Sequence, residues 1–368
     1  MSKSVFSSES VCAGHPDKVC DAISDSILDA VLAKDPFGRV AVETLVTTNR
    51  VVIAGELTTD AKINIEKIAR EQIKRLGYTK ASYDFSHKSE IEVLLHQQSP
   101  EIAQGVDNDG AGDQGMMFGY ACSETNELMP LPITLAHRLA QRIDHAREKE
   151  LIPYLRPDGK SQVSVTYENG KPVGIAAVVI AVPHKESIQL EQVKHDIYKK
   201  VVAPVLAKYG YSFPEKDVIV NGTGAWYKGG PASDTGLTGR KIVVDTYGGY
   251  APVGGGAFSG KDPTKVDRSG AYGARYIAKN IVAAGLAQKA EVRLAYCIGI
   301  KKPLMQEVET FGTEKKSKKL INEFAASLLD TSVKGIIEAL NLRRPLYLQT
   351  SAYGHFGREQ FPWEKIVS

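Results

Sequence analysis

Hydrophobic and polar positions alternate along this chain in one order of elements that occurs three times. Each third contains a short apolar run, a stretch with helical spacing, two runs of alternating apolar and polar residues, a second helical stretch and a last short run. Apolar spacing near 3.6 residues is typical of helices and spacing of two is typical of half-buried strands, so the predicted order is β-α-β-β-α-β. Three such units are predicted to be α+β, with helices layered on mostly antiparallel sheets.

The boundaries of the elements follow from where each pattern starts and stops. In the first third they are 4–6, 16–34, 39–47, 50–57, 63–76 and 92–96. In the second they are 116–121, 132–148, 162–167, 174–182, 190–208 and 218–221. In the third they are 242–247, 264–286, 291–300, 304–311, 316–329 and 346–350. The chain is therefore predicted to have an N-terminal domain (1–99), a central domain (111–229) and a C-terminal domain (230–368).

The composition is that of a folded protein without a large overall charge. Lys and Arg total 46 against 43 Asp and Glu, which gives a formal net charge of +3, and 43% of the 368 residues are hydrophobic. This balance excludes proteins that coat nucleic acid through overall charge. The longest apolar run, residues 175–182, is well short of the roughly 20 residues that a membrane helix needs. No nucleic-acid or membrane partner is expected.

Cysteine spacing and the first residues indicate the compartment. Cys12, Cys20, Cys122 and Cys297 have no CxxC spacing, which argues against zinc and for a reducing environment. Residues 1–10 lack the basic and apolar regions of a secretory signal. We expect a cytoplasmic protein whose cysteines are small buried apolar side chains.

Two stretches do not fit the repeat. Residues 99–115 are rich in Gly, Asp, Asn and Gln, and are long enough for a functional loop or a disordered connector. Residues 222–260 contain twelve of the chain's 33 glycines. Such backbone freedom suits a close approach to a ligand, although a set of long surface turns would use glycine equally well.

Charged residues of both signs lie among and after these glycines. Cations can neutralise phosphate oxygens and carboxylates can hold Mg²⁺, so the alternation suits a metal-chelated polyphosphate. The residues are Asp234, Arg240, Lys241, Asp245, Lys261, Asp262, Lys265, Asp267 and Arg268. Residues 255–261 also match GxxxxGK, but Asp262 stands where a phosphate-binding P-loop needs Ser or Thr. The match is therefore weak support for a phosphoryl-transfer enzyme.

A second candidate site is Gly-His-Pro-Asp-Lys at 14–18, at the start of the first long helix. Asp17 could reach a metal or a phosphate beside His15, or could simply complement the helix dipole. Asp21, Asp25 and Asp29 follow at intervals of four, opposite an apolar stripe. We expect these three carboxylates to form a solvated face.

Four motifs, in this order, resemble the signatures of the S-adenosylmethionine synthetase (methionine adenosyltransferase) family. They are Gly-His-Pro-Asp-Lys at 14–18, Gly-Ala-Gly-Asp-Gln-Gly at 110–115, the segment 236–249 and Gly-Gly-Gly-Ala-Phe-Ser-Gly-Lys-Asp at 254–262. The similarity extends from about residue 6 to 365. The resemblance implies three similar α+β domains around a pseudo-threefold axis, in a homodimer or dimer of dimers with each active site between two subunits.

The resemblance also implies the reaction and its cofactors. Methionine sulfur would attack C5′ of ATP and expel triphosphate, which the same site would hydrolyse to pyrophosphate and phosphate. Two Mg²⁺ ions per site and K⁺ would be bound, and residues 99–115 would form a lid. Because a neutral thioether becomes a sulfonium while a charged triphosphate leaves, stabilising the leaving group is the main task.

Site residues are implied by the same resemblance. Those that would contact the phosphates or the methionine carboxylate side of the site are His15, Lys160, Arg240, Lys241, Lys261 and Lys265. Further ATP-binding positions would be Asp158, Gly159, Ala225, Trp226, Asp234 and Ala257. Methionine-binding positions would be Glu56, Gln98, Asp113, Asp234 and Lys265. Asp17 and Asp267 would hold Mg²⁺, and Glu43 would hold K⁺.

The chain departs from the family pattern at residues 221–228. The family usually has Arg or Lys and then an aromatic residue where this chain has Ala225 and Trp226. The indole can still stack on adenine, but Ala225 supplies no cation, and Lys228 is the nearest residue that could compensate. We therefore predict weaker or broader use of nucleoside triphosphates.

The predicted lid also has a shorter spacer, at 106–110, than is common in the family. This predicts altered lid kinetics with the same chemistry. The alternative to an active enzyme is a non-catalytic, nucleotide-binding regulatory subunit of the same fold. Such a subunit would be expected to lose its metal-binding and phosphate-binding residues together, whereas this chain keeps them.

Overall fold

The computed structural model describes residues 3–97 and 109–367. The strands are β1 (Lys3–Val11), β2 (Arg39–Thr47), β3 (Arg50–Thr58), β4 (Glu90–His96), β5 (Gly115–Cys122), β6 (Lys160–Glu168), β7 (Lys171–Ala181), β8 (Ile219–Val220), β9 (Gly236–Leu237), β10 (Lys289–Tyr296) and β11 (Met305–Glu309). The helices are α1 (Pro16–Leu32), α2 (Ile65–Arg75), α3 (Leu131–Glu148), α4 (Leu190–Ile197), α5 (Ala203–Lys208), α6 (Ile242–Asp245), α7 (Val266–Ala283), α8 (Lys318–Leu328) and α9 (Val333–Ala339). None of the described helices is long and apolar enough to cross a bilayer.

Each of the three sheets is built mainly from one third of the chain and contains one strand from another third. The strand orders are β4-β3-β2-β9, β1-β6-β7-β8 and β11-β10-β5. Strand β9 of the last third thus completes the first sheet, β1 of the first third completes the second, and β5 of the second third completes the third. In every sheet this exchanged strand is antiparallel to its neighbour, and so is the next pair. A sheet with three antiparallel strands is therefore built three times, and the first two sheets add a fourth, parallel strand, β4 or β8. This arrangement confirms the predicted α+β fold class.

The long helices occupy equivalent places in the three units. Helix α1 packs on β2 and β9, α3 on β1 and β6, and α7 on β5 and β10. Each helix thus covers the exchanged strand together with its antiparallel neighbour. One continuous apolar core joins the first and third units, and the second unit has its own core. The division at 1–99, 111–229 and 230–368 stays a prediction, since the units share strands across those boundaries.

The predicted helix at 190–208 is interrupted. A π-helical turn, Tyr198–Val202, separates α4 from α5. Pro204 has no N–H for the carbonyl of Lys200, one helical turn before it. That carbonyl instead accepts a hydrogen bond from Arg142 Nε on α3 at 2.9 Å.

The predicted strand at 242–247 is wrong. Its β-branched residues suggest a strand, but the segment begins with helix α6. The Asp245 N–H donates to the Lys241 carbonyl at 2.8 Å, and the Asp245 carboxylate is bound by Lys18 of α1. The tertiary contacts of Asp245 therefore override the strand preference of the β-branched residues beside it.

The predicted strand at 346–350 is also wrong, and the segment ends in a 3₁₀ turn. The backbone N–H groups of Leu346, Tyr347 and Leu348 donate to the Asp29 carboxylate at 2.9–3.0 Å. They are therefore not available for a strand ladder. Helix α9, which precedes this segment, was not predicted.

The prediction of a solvated carboxylate face on α1 is wrong. Asp21 and Asp25 are fully buried, and Asp29 is partly buried. Asp21 accepts the Gly239 N–H at 2.9 Å, and Asp25 accepts the Gly260 N–H at 2.8 Å. Helix α1 is enclosed by loops of the last third as well as by its own sheet, and its aspartates bind the backbone of those loops.

Candidate active site

The first candidate cluster lies at the N-terminus of α1. Pro16 is the first helical residue, a position where its missing N–H has no intrahelical partner to lose. His15 caps the helix, because its Nδ1 atom accepts the Asp17 N–H at 3.2 Å. His15 and Asp17 are both buried. The sequence thus places an imidazole and a carboxylate together at the helix start.

Three groups from the last third converge on the Asp17 carboxylate. The Leu237 N–H donates to Oδ1 at 3.0 Å, Lys241 Nζ donates to Oδ2 at 2.5 Å, and Arg240 Nε lies 3.1 Å from Oδ1. Burial raises the pKa of Asp17, but the hydrogen bonds from Lys241 and Leu237 outweigh it, so the pKa is lowered and the group is ionised. The Arg240 side chain is 47% exposed and that of Lys241 is 19% exposed, so both cations border the surface beside a buried anion.

The imidazole of His15 is neutral. Burial, followed by the charges of Lys241 and Lys160, lowers the pKa of His15 to about 3. Because Nδ1 accepts the Asp17 N–H, the single ring proton belongs on Nε2. Among the described residues, this buried Nε2 has no hydrogen-bond partner. A buried donor without a partner is a candidate contact for a ligand oxygen.

The second candidate cluster lies at the N-terminus of α7. Lys261 Nζ donates to Asp267 Oδ2 at 2.6 Å. A Cβ atom on Gly256 would lie 2.3 Å from the Asp267 carboxyl group, so the glycine loop must lie directly against this carboxylate. Both side chains of the pair are mostly buried.

Asp262 is a structural acceptor. Its buried carboxylate accepts the N–H groups of Val40 at 2.7 Å and Thr264 at 2.9 Å, and the ammonium of Lys265 at 2.5 Å. Burial opposes ionisation, but the Lys265 charge and these hydrogen bonds outweigh it and lower the pKa of Asp262. This geometry adds to the argument against a P-loop at 255–261, and it shows that the Lys265 cation is already paired.

The two clusters are joined through α1. Asp21 binds the N–H of Gly239 and Asp25 binds the N–H of Gly260. Gly239 lies so close to Ala257 that a Cβ at position 239 would be 2.3 Å from the Ala257 Cβ. The two short segments that carry predicted phosphate-binding cations therefore lie side by side on this helix.

Asp158 and Lys160 lie at the start of β6. Asp158 is buried, and its two oxygens accept the N–H groups of Gly159 at 2.7 Å and Gly230 at 2.8 Å. Burial raises the pKa of Asp158 to about 6 against the effect of these bonds. Lys160 is exposed, and its charge helps to lower the pKa of His15, so it belongs to the electrostatic surroundings of the first cluster.

The predicted adenine-binding segment is fixed by hydrogen bonds of its own. Trp226 Nε1 donates to the Lys228 carbonyl, and the Trp226 carbonyl accepts the His184 N–H at 2.9 Å. Lys228 Nζ pairs with Asp84 at 2.9 Å. Lys228, the cation that could compensate for Ala225, is therefore already paired with a carboxylate.

Glu43 and Glu56 lie away from the first cluster, whereas Lys261 of the second cluster pairs with Ala41 of β2 in an antiparallel bridge and so starts from the same sheet face as the two glutamates. Side chains alternate along a strand, and Thr44 of β2 contacts Ser24 of α1 at 2.9 Å, so Glu43 is on the face turned away from α1. Glu56 lies on the same face of β3 and pairs with His96 at 3.2 Å. Within residues 3–97 and 109–367, no ion pair joins either glutamate to the clusters on α1 and α7.

Three other predicted residues are less informative. Asp113 and Asp234 are exposed, and the Asp113 carboxylate accepts the N–H of Gln114 at 2.7 Å. Gln98 lies outside the described residues, as do residues 99–108 of the predicted lid.

Asp17 and Asp267 fit Mg²⁺ if a ligand supplies further oxygens. No group of three or more His, Cys, Asp or Glu side chains that could hold a metal occurs in the described part of the chain. Mg²⁺ commonly takes only one or two protein carboxylates and completes its shell with water and substrate phosphates. Each of the two carboxylates lies beside a lysine, Lys241 or Lys261, whose charge could bind a phosphate of the same ligand. The donor set therefore fits.

Sequence reasoning missed the buried charges beneath these clusters. Lys18 binds Asp21 and Asp245, and Arg268 forms a bidentate pair with Asp25. The interval of four between the aspartates was the available signal. It could not separate a solvated face from a buried one, because the residues that bury it come from the last third of the chain.

Nearly the whole chain matches one family. Residues 3–100, 108–226 and 228–365 match, in order, the N-terminal, central and C-terminal domains of S-adenosylmethionine synthetase. The S-adenosylmethionine synthase of Sulfurovum sp. (strain NBC37-1) is 52% identical over 370 residues, which cover 98% of this chain and 96% of that protein. The S-adenosylmethionine synthase of Clostridium tetani (strain Massachusetts / E88) is 50% identical over 381 residues, which cover 99% and 97%. The chain therefore belongs to the S-adenosylmethionine synthetase family of enzymes.

Proposed function

We propose that this protein forms S-adenosylmethionine from ATP and L-methionine. The observation that carries the proposal is the arrangement at the start of α1, where the buried His15 Nε2–H has no partner within residues 3–97 and 109–367 and lies beside the cations Arg240 and Lys241. A neutral donor and two cations suit the negative charge that develops on a leaving polyphosphate. The full-length relatives named S-adenosylmethionine synthase support the same reaction.

In the proposed reaction the methionine sulfur attacks C5′ of ATP. A C–S bond forms while the C5′–O bond breaks, and the electron pair of the broken bond leaves with the triphosphate. No proton moves in this step. Each 1.36 kcal/mol of added stabilisation of the leaving oxygen raises the rate tenfold, so its hydrogen bonds and cations dominate the chemistry. Water then cleaves the triphosphate into pyrophosphate and phosphate.

We assign the remaining substrate contacts from the family pattern. The phosphates would be bound by His15, Lys160, Arg240, Lys241, Lys261 and Lys265. The nucleoside would be bound by Asp158, Gly159, Ala225, Trp226, Asp234 and Ala257, and methionine by Glu56, Gln98, Asp113, Asp234 and Lys265. Both oxygens of Asp158 already accept backbone N–H groups, so its contact to the nucleoside would use the lone pairs that remain.

We propose that Asp17 and Asp267 hold the two Mg²⁺ ions and that Glu43 holds K⁺. Bound Mg²⁺ supplies charge neutralisation to the triphosphate oxygens. The lowered pKa of Asp17 keeps its carboxylate ionised and available as a ligand. Lys241 and Lys261, which pair with the two carboxylates, would turn to the phosphates.

We also propose a homodimer or dimer of dimers with active sites between subunits. Asp17 lies on the α1 side of the first sheet, whereas Glu43 and Glu56 lie on its opposite face. A single copy would therefore hold the cations at Asp17, Arg240 and Lys241, on one face and the two glutamates on the other. A second copy seated against this sheet would bring the two sets together.

The activity is tested by incubating the protein with ATP, L-methionine, MgCl₂ and KCl. We expect S-adenosylmethionine by mass spectrometry, with pyrophosphate and phosphate released in equal amounts. ATP binding without product would identify the alternative, a non-catalytic subunit. A phosphorylated acceptor without S-adenosylmethionine would identify a phosphoryl-transfer enzyme. His15→Asn, which alters the proposed leaving-group contact, should lower turnover and serves as the internal control.

A further inference from the structure

Three buried charges lie behind the cations at the start of α1. Lys18 Nζ donates to Asp21 Oδ2 at 2.9 Å and to Asp245 Oδ1. No more than 1% of the surface of any of the three residues is exposed. The Lys18 ammonium therefore cannot reach a ligand, although it follows Asp17 directly in the sequence.

Asp21 binds the backbone just before Arg240. Its Oδ1 atom accepts the Gly239 N–H at 2.9 Å, and Asp17 accepts the Leu237 N–H at 3.0 Å one helical turn earlier. Leu237 ends strand β9, and Gly239 lies in the turn that follows, where the Arg240 N–H donates to the Leu237 carbonyl at 3.4 Å. Two aspartates one helical turn apart therefore bind alternate N–H groups at the start of this turn.

Asp245 binds the chain just after Lys241. The Asp245 N–H donates to the Lys241 carbonyl at 2.8 Å, while its carboxylate accepts from Lys18. Lys18 therefore links Asp21, whose carboxylate binds the backbone before the Arg240–Lys241 pair, to Asp245, whose backbone N–H binds the Lys241 carbonyl.

We infer that Lys18, Asp21 and Asp245 are positioning residues that fix where Arg240 and Lys241 hold their charges. The inference rests on the proposed function, because it concerns how these cations meet the triphosphate. Removing charges from water opposes the attraction between them, so a buried ionic cluster is weak support for stability. We expect the cluster to matter because it fixes the positions of the two cations, since a displacement of about 1 Å at a reacting centre can lower the rate about 100-fold.

The test compares two variants of the same helix. In Asp21→Asn the amide oxygen can still accept the Gly239 N–H, but the amide nitrogen replaces the acceptor for Lys18. We expect kcat to fall about 10- to 100-fold with the KM for methionine within about twofold of wild type. The matched control is Asp29→Asn, because Asp29 accepts three backbone N–H groups elsewhere and contacts neither cation. Its kcat should stay within about twofold of wild type.

A second pair of variants separates positioning from charge balance. Lys18→Met leaves two buried carboxylates without a cation and is expected to fold poorly. The double variant Lys18→Met with Asp21→Asn keeps the formal charge of the cluster, −1, but lacks the link between Asp21 and Asp245. A folded double variant with low kcat supports positioning. Full recovery of kcat in the double variant would overturn it.

The outcomes distinguish this inference from the proposed function. If wild type makes no S-adenosylmethionine, the proposed function fails, and the inference is then judged by calorimetric binding of tripolyphosphate with MgCl₂. Binding at least about tenfold weaker in Asp21→Asn than in Asp29→Asn would still support it. Equal loss of activity or binding in both variants, in proportion to their folded fractions by circular dichroism, would show a merely structural role.

Discussion

The Nδ1 atom of His15 accepts the N–H of Asp17 at 3.2 Å, so the ring that caps α1 carries its proton on Nε2. Its pKa of about 3 keeps the ring neutral at every pH at which the enzyme is expected to work. We expect ¹⁵N-detected NMR to show the Nε2–H form of His15 from pH 8 down to about pH 4. An imidazole that titrates near pH 6.5 would contradict this prediction. Between pH 6.5 and 3 the unfolded chain binds a proton here that the folded chain does not, so this group lowers stability as the pH falls.

Asp158 should have the opposite effect on stability. Its folded pKa is about 6, above the unfolded value of 3.8, so the folded state binds more protons between these values. Its contribution is therefore fully present below about pH 4 and is lost as the pH rises through 6, a change of about 3 kcal/mol. We expect the difference in unfolding free energy between wild type and Asp158→Asn to fall by about this amount from pH 4 to 7, measured by urea titration. A difference that does not vary with pH would mean that Asp158 ionises in its usual range.

The buried pair of Arg268 and Asp25 should dominate the stability of the α1–α7 contact. Its two hydrogen bonds are 2.7 and 2.8 Å long, and both side chains are fully buried. Arg268→Met leaves the carboxylate without its cation, and we expect a loss of about 3–5 kcal/mol in urea unfolding. The control is Arg50→Met, which removes an equally short but exposed pair with Glu90 and should cost no more than about 1 kcal/mol. A similar loss of unfolding free energy in both variants would show that burial does not determine how much an ion pair contributes to stability.

Nucleotide selectivity should depend on the segment around Trp226. Stacking of a base on an aromatic ring is worth about 1–3 kcal/mol, so Trp226→Ala should weaken ATP binding about 5- to 150-fold. Ala225 is exposed and Lys228 is paired with Asp84, so neither of these two positions supplies a free cation. Ala225→Arg should therefore raise the preference for ATP over GTP and CTP. The measurement is kcat/KM for the three nucleotides, with Tyr227→Ala as the neighbouring control. A wild-type preference already as strong as that of Ala225→Arg would contradict the prediction.

The sequence pattern predicted elements well where local spacing decides the structure. In the first two thirds each predicted strand and helix lies within a few residues of the observed one, except that 190–208 is divided by a π-helical turn. It failed where a distant side chain binds the segment: the Asp29 carboxylate accepts backbone N–H groups at 346–348, and Lys18 binds the Asp245 carboxylate within 242–247. Motif resemblance found the charges that line the surface of the site, such as Arg240 and Lys241. It did not find the roles of the buried residues Lys18, Asp21 and Asp245 behind these cations. The spacing of these residues does not show which other segment of the chain buries them.

The exchange of β1, β5 and β9 has a consequence for how this chain can be divided. A fragment cut at any boundary between thirds would keep a sheet whose outermost partner strand belongs to another fragment. The edge of the sheet that the missing strand normally covers would expose its backbone N–H and C=O groups, which could then pair with other chains. Because the sheets share strands, we expect the three repeats to unfold together, and damage to one third to weaken the sheet of another.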